Sequence, residues 1–535
     1  MNFKHRLSLL LSIFLLPAMV LSQNSEAVGI DEKINEAFTP FATFCLEVVL
    51  WQVPGTGVPL IIFLLVLGAL FFTVYFGFPN ITKFATAINV VRGKYDDIEH
   101  HEGAANANIN IVDGDIVDTI RDESQDGEVS HFQALATAVS GTVGLGNIAG
   151  VAIAISIGGP GATFWMIICG LLGMSTKFVE CTLGVKYREV DADGTVHGGP
   201  MYYLSRGLKE KGFAKLGKVL AVIFAILCIG GSFGGGNAAQ SNQAAAQLSN
   251  LLGMTGGNSG FIIGIVLAII VGVVIIGGIK RIASVTEKVV PLMAVIYVVA
   301  CLIVIFSNFS YIDDAFGIIF KSAFSDEAAV GGFFGVLIQG FRRAAFSNEA
   351  GAGSASIAHS AVKTKFPASE GLVALLEPFI DTIVICTMTA LVIIFYNSGS
   401  YFEYGNVVND QVTIAGQSLG GAELTSAAFA SVIPWFPYVL TVAIVLFAIS
   451  TMISWSYYGL QSWKFLFGKS KAADIAYKLL FLAFVIIGAS ANMSSVWGFS
   501  DAMILGMVFP NMIGLFFLFP VVKKELVKYL KAIRS

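Results

Sequence analysis

Two short stretches interrupt apolar segments with residues that can hold ions and polar solutes. They read Ser140-Gly-Thr-Val-Gly-Leu-Gly-Asn-Ile-Ala-Gly150 and Phe346-Ser-Asn-Glu-Ala-Gly-Ala-Gly-Ser354. Each glycine in a helix costs about 1 kcal/mol relative to alanine, and a broken helix persists in a membrane only where protein or a cavity surrounds the break. Freed carbonyls can then bind a cation, and freed N–H groups can bind a carboxylate. The alternative is that small residues only let helices pack closely.

The composition indicates an integral membrane protein. The chain has 535 residues, 56% of them apolar and 13% charged, with a mean hydropathy of +0.77. Soluble domains carry roughly 25% charged residues. The net charge of −4 gives no indication of a nucleic-acid partner, and the partner expected from composition is a lipid bilayer. Six cysteines are scattered without CxxC or metal spacing, so we expect them to be small buried residues.

The N-terminus is typical of a secretory signal. Basic residues precede an apolar run from Leu7 to Leu21, and the small Ser22 suits a cleavage site; an uncleaved first helix is the alternative. Residues 31–50 are amphipathic and predict an interfacial helix. Eleven apolar segments follow, each a predicted span, at about 57–78, 132–158, 161–185, 217–249, 259–279, 286–307, 330–358, 371–396, 434–463, 473–493 and 496–522.

The placement of Lys and Arg predicts the orientation of these spans. If the first span enters from outside, the loops that follow the third, fifth, seventh and ninth spans are cytoplasmic, and they are rich in Lys and Arg. The predicted outside loops hold only Lys33 and Lys321. We therefore expect a multi-pass protein of the plasma (inner) membrane, with its mature N-terminus outside and its C-terminus in the cytoplasm.

One segment stands apart in composition. Residues 95–130 carry eleven Asp and Glu residues and a single Arg121. We interpret this segment as a solvated loop, because acidic residues contribute little to orientation. A metal or regulatory role for His100 and His101 is a minor alternative.

The ten spans after the first divide into two halves of five, and each half begins with a glycine-broken helix. Five helices per half inverts the second half relative to the first, and paired broken helices are the mark of an inverted-repeat transporter with a site at the membrane midplane. The predicted division is a signal peptide 1–22, an extracytoplasmic segment 23–56 with the interfacial helix, an extra first helix 57–78, an acidic cytoplasmic loop 79–131, repeats 132–307 and 330–522, and a basic cytoplasmic tail 523–535.

The broken stretches, with Pro160-Gly-Ala-Thr-Phe-Trp-Met166, resemble the sodium:alanine (alanine or glycine:cation) symporter family. The resemblance extends from about residue 31 to 530. It implies an all-α membrane protein of the LeuT-type fold, with a 5+5 inverted repeat and about 11 transmembrane helices, two of them discontinuous. It also implies Na⁺-coupled uptake of small neutral amino acids such as alanine and glycine. The signal-like N-terminus and the acidic loop depart from the family pattern.

A zwitterionic substrate needs amides for its carboxylate and acceptors for its ammonium. We expect the carboxylate at the amides of Gly144, Leu145 and Gly146, near the Asn147 side chain, because half-helix N-termini bind anions. The ammonium is expected at carbonyls around Ala345, Phe346 and Ser347. In the fourth span, Gln240 is a predicted carboxylate contact with Asn242 in support; plain interhelical hydrogen bonding is the alternative.

The coupling cation is expected at the same break, since Na⁺ prefers hard oxygen ligands. Similarity to the LeuT-type fold implies that hydroxyls of Ser450 and Thr451 meet carbonyls near Ser140 and Val143. Thr142 and Asn147 complete the predicted Na⁺ set, and a second cation site beside them is left open. Thr451 and Trp455 share a helix face, so we expect Thr451 to border the substrate and Trp455 to cap a small pocket. Lipid-interface anchoring is the alternative for Trp455.

Charged residues within spans are functional candidates. Arg342 and Arg343 are predicted to pair with Glu349 or Asp381, either as a gate or as fold-stabilising ion pairs, outside the substrate pocket. Lys177 and Glu180 are interpreted as interfacial. Glu377 is a further charged residue within a span.

The leading hypothesis is a Na⁺-coupled symporter for alanine or glycine that works by alternating access. A proton-coupled symporter is the closest alternative and would use Asp381 or Glu349. A channel would require rings of charges or carbonyls repeated by oligomer symmetry. The sequence carries none of the nucleophile-elbow, HExxH or Walker motifs of enzymes, so we expect no enzyme and no cofactor, with Na⁺ as the coupling ion. Protein partners are left open.

Overall fold

A computed structural model describes residues 29–55, 57–99, 127–191, 194–254, 257–276, 278–325 and 332–534. The predicted signal peptide, His100 and His101 lie outside these residues. The principal helices are α1 Ile30–Val49, α2 Leu60–Tyr75, α3 His131–Thr142, α4 Gly146–Gly158, α5 Gly161–Lys186, α6 Ala214–Leu252, α7 Ser259–Ile275, α8 Gly278–Ser307, α9 Gly332–Asn348, α10 Pro367–Asn397, α11 Gly421–Ala430, α12 Phe436–Phe467, α13 Lys471–Ser490 and α14 Met493–Ala532.

Short elements connect the principal helices. The short helices are Pro79–Thr82, Phe84–Val91, Asp96–Glu99, Pro200–Tyr202, Tyr203–Gly207, Leu208–Glu210, Phe309–Tyr311, Ile312–Ala323 and Ser356–His359. Two antiparallel hairpins pair β1 Glu189–Val190 with β2 Val196–His197, and β3 Val412–Ile414 with β4 Gln417–Leu419.

Among the described residues, seven helices are long and apolar enough to span a membrane, or eight when the bent pair of α3 and α4 counts as one span. The shorter apolar helices α2 and α7 also coincide with predicted spans. A multi-pass helical membrane protein is therefore confirmed, while the count of eleven and the inverted repeat stay predictions. In α14, 72% of the apolar window is buried, against 33% in α8 and 39% in α13. Helices α8 and α13 accordingly form the periphery, which faces lipid in a bilayer.

The first glycine-rich stretch bends its helix. The axes of α3 and α4 differ by 48°, and Val143 at the break is extended rather than helical. Gly146–Gly150 forms a wide π turn before the α-helix resumes. All residues from Ala134 to Gly150 are buried, so the freed backbone groups are enclosed in protein, as a break in a membrane helix requires.

The second stretch ends α9 at Asn348. Glu349 adopts a left-handed conformation with φ of 57°, which is uncommon for a residue other than glycine. Gly351 and Gly353 follow with φ of 91° and 87°, where a side chain would be strained. The chain turns there before the short helix Ser356–His359.

Helix α1 packs on the protein through one face. Its buried residues Phe38, Ala42, Cys45 and Val49 recur at helical spacing, and Phe38 contacts Phe499 of α14 edge to face. The Asp31 carboxylate accepts hydrogen bonds from the amides of Gly260 and Phe261 and so caps α7. All six cysteines are free and buried, as predicted.

Candidate functional site

Helices α3 and α12 are joined by two hydrogen bonds at the break. The Thr451 hydroxyl donates to the Ser140 carbonyl at 3.0 Å, and the Ser140 hydroxyl donates to the Ser450 carbonyl at 2.8 Å. Gly144 makes this approach possible, because a Cβ there would overlap the Thr451 hydroxyl. The structure thus brings Thr451 to Ser140 and Gly144, although Thr451 lies more than 300 residues after them along the chain.

The other hydroxyls proposed for Na⁺ bond within their own helices. Thr142 Oγ1 donates to the Ala138 carbonyl at 3.2 Å, and Ser450 Oγ donates to the Phe447 carbonyl at 2.9 Å. Such intrahelical bonds are the usual state of Ser and Thr in helices. Val143 is buried at the break. In this conformation the oxygens that link the two helices therefore come from Ser140, Ser450 and Thr451.

The amides expected to bind a carboxylate already face side-chain oxygens. Asn147 Oδ1 accepts from the Gly144 amide at 2.9 Å, and Gln240 Oε1 accepts from the Leu145 amide at 3.0 Å. Gln240 is held by a second bond, from its Nε2 to the Gly235 carbonyl. Asn242 donates to the carbonyls of Gly488 and Ala491 and supports packing. A carboxylate could replace the two amide oxygens, since it offers the same acceptor atoms.

Asp381 is central to this break, which corrects its predicted pairing with arginine outside the pocket. Its Oδ1 accepts from Asn147 Nδ2 at 2.6 Å, and its Oδ2 accepts from Ser347 Oγ at 2.8 Å. The Thr382 hydroxyl donates to the same Oδ2 at 2.7 Å. The carboxyl thereby links α4, α9 and α10 in a fully buried position. The sequence showed a charge within a span, but not the polar side chains that would surround it.

Trp455 and Glu349 form a second contact across the two breaks. The indole Nε1 donates to Glu349 Oε1 at 3.0 Å and lies 3.2 Å from the Gly141 carbonyl. The Ser354 hydroxyl donates to the other oxygen of Glu349. The ring is buried and packs so closely on Gly236 that a Cβ there would overlap it. Glu349 is therefore bound to tryptophan, and its predicted pairing with Arg342 or Arg343 is wrong.

Both arginines pair instead with Asp501 of α14. Arg342 Nε lies 2.7 Å from Asp501 Oδ2, and Arg343 contacts the same oxygen. The Arg343 guanidinium also covers the rings of Phe346 and Trp497, with centroid distances of 5.5 Å and 5.2 Å. Asp501 was not identified from the sequence, although a lone acidic residue within the span 496–522 was the available signal.

The aromatic pair lies over the first break. The rings of Phe346 and Trp497 are 4.8 Å apart, and Cβ atoms on Gly146 and Gly150 would be in contact with them at 3.4 Å and 3.5 Å. Phe346 thus lies against the first break. Together with Trp497, Arg343 and Asp501 it forms a group of aromatic and charged side chains, here called the cover, on that side of the site.

Asp410 is a second carboxylate near the two arginines, in the loop before β3. Burial raises its pKa, and the charges of Arg343 and Arg342 act in the opposite direction. Its backbone is left-handed, with φ of 62°.

Lys177 and Glu180 are fully buried, so their interpretation as interfacial residues is wrong. Lys177 Nζ donates to Glu377 Oε1 at 2.9 Å. Glu180 Oε1 accepts from the Gly351 amide at 2.9 Å and from Asn511 Nδ2 at 2.6 Å. Burial of these charges is possible because each has a polar partner.

A cavity of about 600 Å³ lies beside the second half of α6. It lies where α6, α13 and α14 meet, and its wall includes Asn242 and Gln243, within one turn of Gln240. Gln243 Oε1 accepts from the Ala422 amide of α11 at 3.0 Å. The cavity therefore lies toward the end of the molecule that also carries Asp31 and Asn492.

The sequence matches the sodium:alanine symporter family over residues 44–535. Sodium/alanine symporter AgcS of Methanococcus maripaludis is 42% identical over 413 residues, which are 76% of this chain and 85% of that protein. The Bacillus subtilis protein named "Probable sodium/glutamine symporter GlnT" is 37% identical over 404 residues, 75% of this chain and 78% of that protein. The solved structure of MhsT in complex with L-phenylalanine matches over 75% of this chain and 99% of that chain, at 15% sequence identity and a TM-score of 0.46.

The family match includes both broken helices and every residue of the site described above. It also agrees with the helical, multi-pass architecture. The family match and the symporter relative indicate a transporter and not an enzyme. The chain belongs to the sodium:alanine symporter family.

Proposed function

We propose that this protein is a Na⁺-coupled symporter of small neutral amino acids, alanine and glycine above all, that works by alternating access. The observation that carries the proposal is the joining of the α3 break to α12 by Thr451 and Ser140. Na⁺ bound at these oxygens would hold the two helices together, and loss of Na⁺ would let them part. Substrate bound at the adjacent amides would be sensitive to the same rearrangement.

The carboxylate of the substrate would bind at the amides of Gly144 and Leu145. Asn147 Oδ1 and Gln240 Oε1 now accept from these amides, and their side chains would turn their NH₂ groups to the incoming carboxylate. Gly146 has no side chain and would let the substrate lie close to the backbone, on the side of the helix that faces Phe346 and Ser347. Carbonyls at the C-terminal end of α9 would accept from the ammonium.

Substrate size would be limited by aromatic rings. Trp455 and Phe346 are both buried and lie against glycines, Trp455 on Gly236 and Phe346 on Gly235. A methyl group or a hydrogen fits beside such rings more readily than a branched side chain. Named relatives support neutral amino acids as the class, since one is called a sodium/alanine symporter and another a sodium/glutamine symporter.

The membrane arrangement is part of the same proposal. We infer eleven spans in the plasma (inner) membrane, an inverted pair of five-helix repeats at 132–307 and 330–522, and a cytoplasmic C-terminus. The distribution of Lys and Arg supports this orientation. In it, the cavity beside Asn242 opens to the outside.

Proton coupling is the second candidate, and the position of Asp381 favours it. This carboxyl lies at the break, in contact with Asn147 and Ser347, where a proton could take the place of a cation. Arg342 and Arg343 would act in the cover over the site through Asp501 in either case.

Uptake of radiolabelled alanine into proteoliposomes tests the proposal. An inward Na⁺ gradient, a K⁺ gradient and a pH gradient are applied separately, with glycine and leucine as competitors. We expect accumulation with the Na⁺ gradient alone and competition by glycine. Accumulation driven by the pH gradient alone would show that H⁺, and not Na⁺, is the coupling ion. No accumulation under any gradient would refute symport of this substrate class.

A further inference from the structure

Six ionisable side chains form a continuous buried line at the end of the molecule opposite the cavity. Acid and base alternate along this line, here called the charge line, in the order Glu99, His131, Glu370, His359, Glu377 and Lys177. The cavity lies at Met493, the first residue of α14, whereas the charge line contacts Tyr529 near the last residue of that helix. The two features therefore belong to opposite faces of the molecule.

The outer half of the charge line surrounds His131, the first residue of α3. Glu99 Oε2 lies 2.6 Å from His131 Nε2, and Glu370 Oε2 contacts His131 Nδ1. Tyr529 donates to the other oxygen of Glu99 at 2.5 Å. The interpretation of residues 95–130 as a solvated loop is therefore wrong at Glu99, which is fully buried.

The inner half surrounds His359, after the second break. Glu370 Oε1 lies 2.5 Å from His359 Nδ1, and Glu377 Oε2 lies 3.4 Å from His359 Nε2. Lys177 Nζ donates to the remaining oxygen of Glu377 at 2.9 Å. The line thus runs from α3 to α10, then to the segment after α9, back to α10 and on to α5.

The geometry fixes the number of protons on the line. Each of the two histidines has a carboxylate oxygen at both ring nitrogens, and a neutral imidazole has only one N–H to donate. A neutral ring would therefore place a nitrogen lone pair against a carboxylate oxygen. One extra proton at each histidine removes this repulsion, whether it rests on the nitrogen or on the facing oxygen.

The charge balance leads to the same number. All six side chains are buried, with His131 the most exposed at 5%. Three carboxylates and one ammonium give −2 when both imidazoles are neutral and 0 when both are protonated. An uncompensated charge in a buried site is strongly destabilising, so the closed line holds two protons.

Other ionisable groups lie around the line. Lys177 is within electrostatic range of Glu180, Glu349 and Cys181, and Tyr458 is within range of Glu349 and Glu377. Two cations lie close to the outer half: Arg188 donates to carbonyls of the loop after His359, at Ser360 and Thr364, and the Lys365 amide donates to the Glu99 carbonyl. The carboxylates among these groups add negative charge and strengthen the need for protons on the histidines.

We propose that the charge line is a two-proton site that locks the cytoplasmic side of the transporter closed and releases its protons when that side opens. The proposal rests on the alternating access proposed above. The lock joins α3, α5, α10 and the segment after α9, so opening must separate these elements and admit water between the charges. Cytoplasmic pH would then regulate transport independently of the ion that drives it.

The sign of the effect follows from proton linkage. The closed form binds up to two more protons than the open form, so acid favours closing and alkali favours opening. A histidine in water has a pKa of about 6.5. Above that value, and up to the pH at which the closed form itself loses its protons, the ratio of open to closed forms should rise by up to about 100-fold per pH unit, tenfold for each proton.

Cys181 provides a reporter that needs neither Na⁺ nor substrate. It is fully buried on α5, one turn after Lys177, and within electrostatic range of Glu370 and Glu377. A variant with Cys181 as its sole cysteine is labelled with a water-soluble maleimide between about pH 6 and pH 8, across the range in which histidine titrates. The same protein with His131→Gln and His359→Gln is labelled in parallel.

The ratio of the two labelling rates removes the intrinsic pH dependence of the thiol. We expect this ratio to rise at least threefold from pH 6 to pH 8, because the double variant cannot hold the two protons and stays open at every pH. A ratio that does not change with pH would overturn the proposal.

Two further variants guard against misfolding and nonspecific effects. Glu370→Gln removes one carboxylate, so one proton fewer is held and the pH slope should fall to about half, in line with one-proton linkage. His197→Gln is the matched control, since His197 is also buried but has only one carboxylate partner, Asp191 at 3.1 Å, with Gln461 at its other nitrogen. The His197→Gln variant should keep the pH dependence of labelling. Loss of that dependence in this control would also overturn the proposal.

The outcome is separable from that of the proposed function. A pH-dependent labelling ratio in a protein that fails to accumulate alanine would support the proton site. It would refute only the proposed substrate or its coupling to Na⁺. Flat labelling in a protein that accumulates alanine with Na⁺ would refute only the proton site.

Discussion

Replacing Gly144 by alanine tests whether the contact between α3 and α12 forms the Na⁺ site. The new Cβ would overlap the Thr451 hydroxyl and would lie 3.3 Å from Thr451 Cβ and 3.1 Å from Gln240 Oε1. Non-bonded carbon atoms prefer separations near 3.5 to 4.0 Å, so Thr451 must move by roughly 1 Å. That movement removes the hydroxyl from its 3.0 Å bond to the Ser140 carbonyl.

The size of the effect follows from the crowding. Inserting a methyl group into a packed site costs about 1 to 3 kcal/mol, and about 1.4 kcal/mol changes an equilibrium constant tenfold. The Na⁺ concentration for half-maximal alanine uptake should therefore rise by about 5- to 140-fold. Uptake of labelled alanine into proteoliposomes, measured over a series of Na⁺ concentrations, gives this value directly.

Gly146→Ala is the matched control, because it adds the same methyl group to the same stretch. Its Cβ would lie 3.4 Å from Phe346 Cδ1 and 3.6 Å from Ser347 Cα, which is nearly ordinary contact. We expect a shift in the Na⁺ constant of less than about threefold, since little displacement is needed. The reasoning would be refuted if the Na⁺ concentration for half-maximal uptake were unchanged in Gly144→Ala, or if it rose equally in Gly146→Ala.

Three further substitutions test other parts of the site. Thr451→Val removes the hydroxyl that joins the helices and should weaken Na⁺ dependence more than alanine affinity; equal weakening of both in uptake assays would assign the hydroxyl to the substrate. Trp455→Ala should let valine and leucine compete with alanine uptake, because it removes the ring that limits pocket size, whereas unchanged selectivity would count against that role. Asp501→Asn leaves Arg343 without its buried carboxylate and should lower stability by about 3 to 5 kcal/mol, measured as thermal unfolding in detergent. Arg206→Gln, at an exposed ion pair, should change the melting temperature little, and a similar fall in both would contradict the assignment.

The helical architecture and the first break could be predicted from the sequence because their causes are local. Glycines within apolar runs destabilise a helix wherever it lies, and the bend between α3 and α4 falls within Ser140–Gly150. The length and hydropathy of each apolar segment are also local properties. These are the features for which neighbouring residues decide the outcome.

The ion pairs could not be predicted, because their partners are distant in sequence. Arg343 and Asp501 are 158 residues apart, and nothing in either neighbourhood specifies the other. The burial of Lys177 was missed for the same reason, since its ion pair with the distant Glu377 makes a charge tolerable at that position. A sequence identifies a charge within a span but not the helix that will neutralise it.

The polar part of the site was predicted in outline and not in detail. Gln240 and Asn147 were identified by residue type and Thr451 by the resemblance to the LeuT-type fold, and the structure places all three at the break. Their partners, however, include the Leu145 amide and the carboxyl of Asp381, and these depend on how α6 and α10 pack.

Reciprocal coupling is the most direct test of the claim that Na⁺ and the amino acid are transported together. Proteoliposomes with equal Na⁺ inside and outside are given an inward alanine gradient, and radioactive Na⁺ is followed at fixed membrane potential. The account predicts that the alanine gradient drives net Na⁺ accumulation, and that Thr451→Val weakens it. Alanine entry without any net movement of Na⁺ would contradict the account.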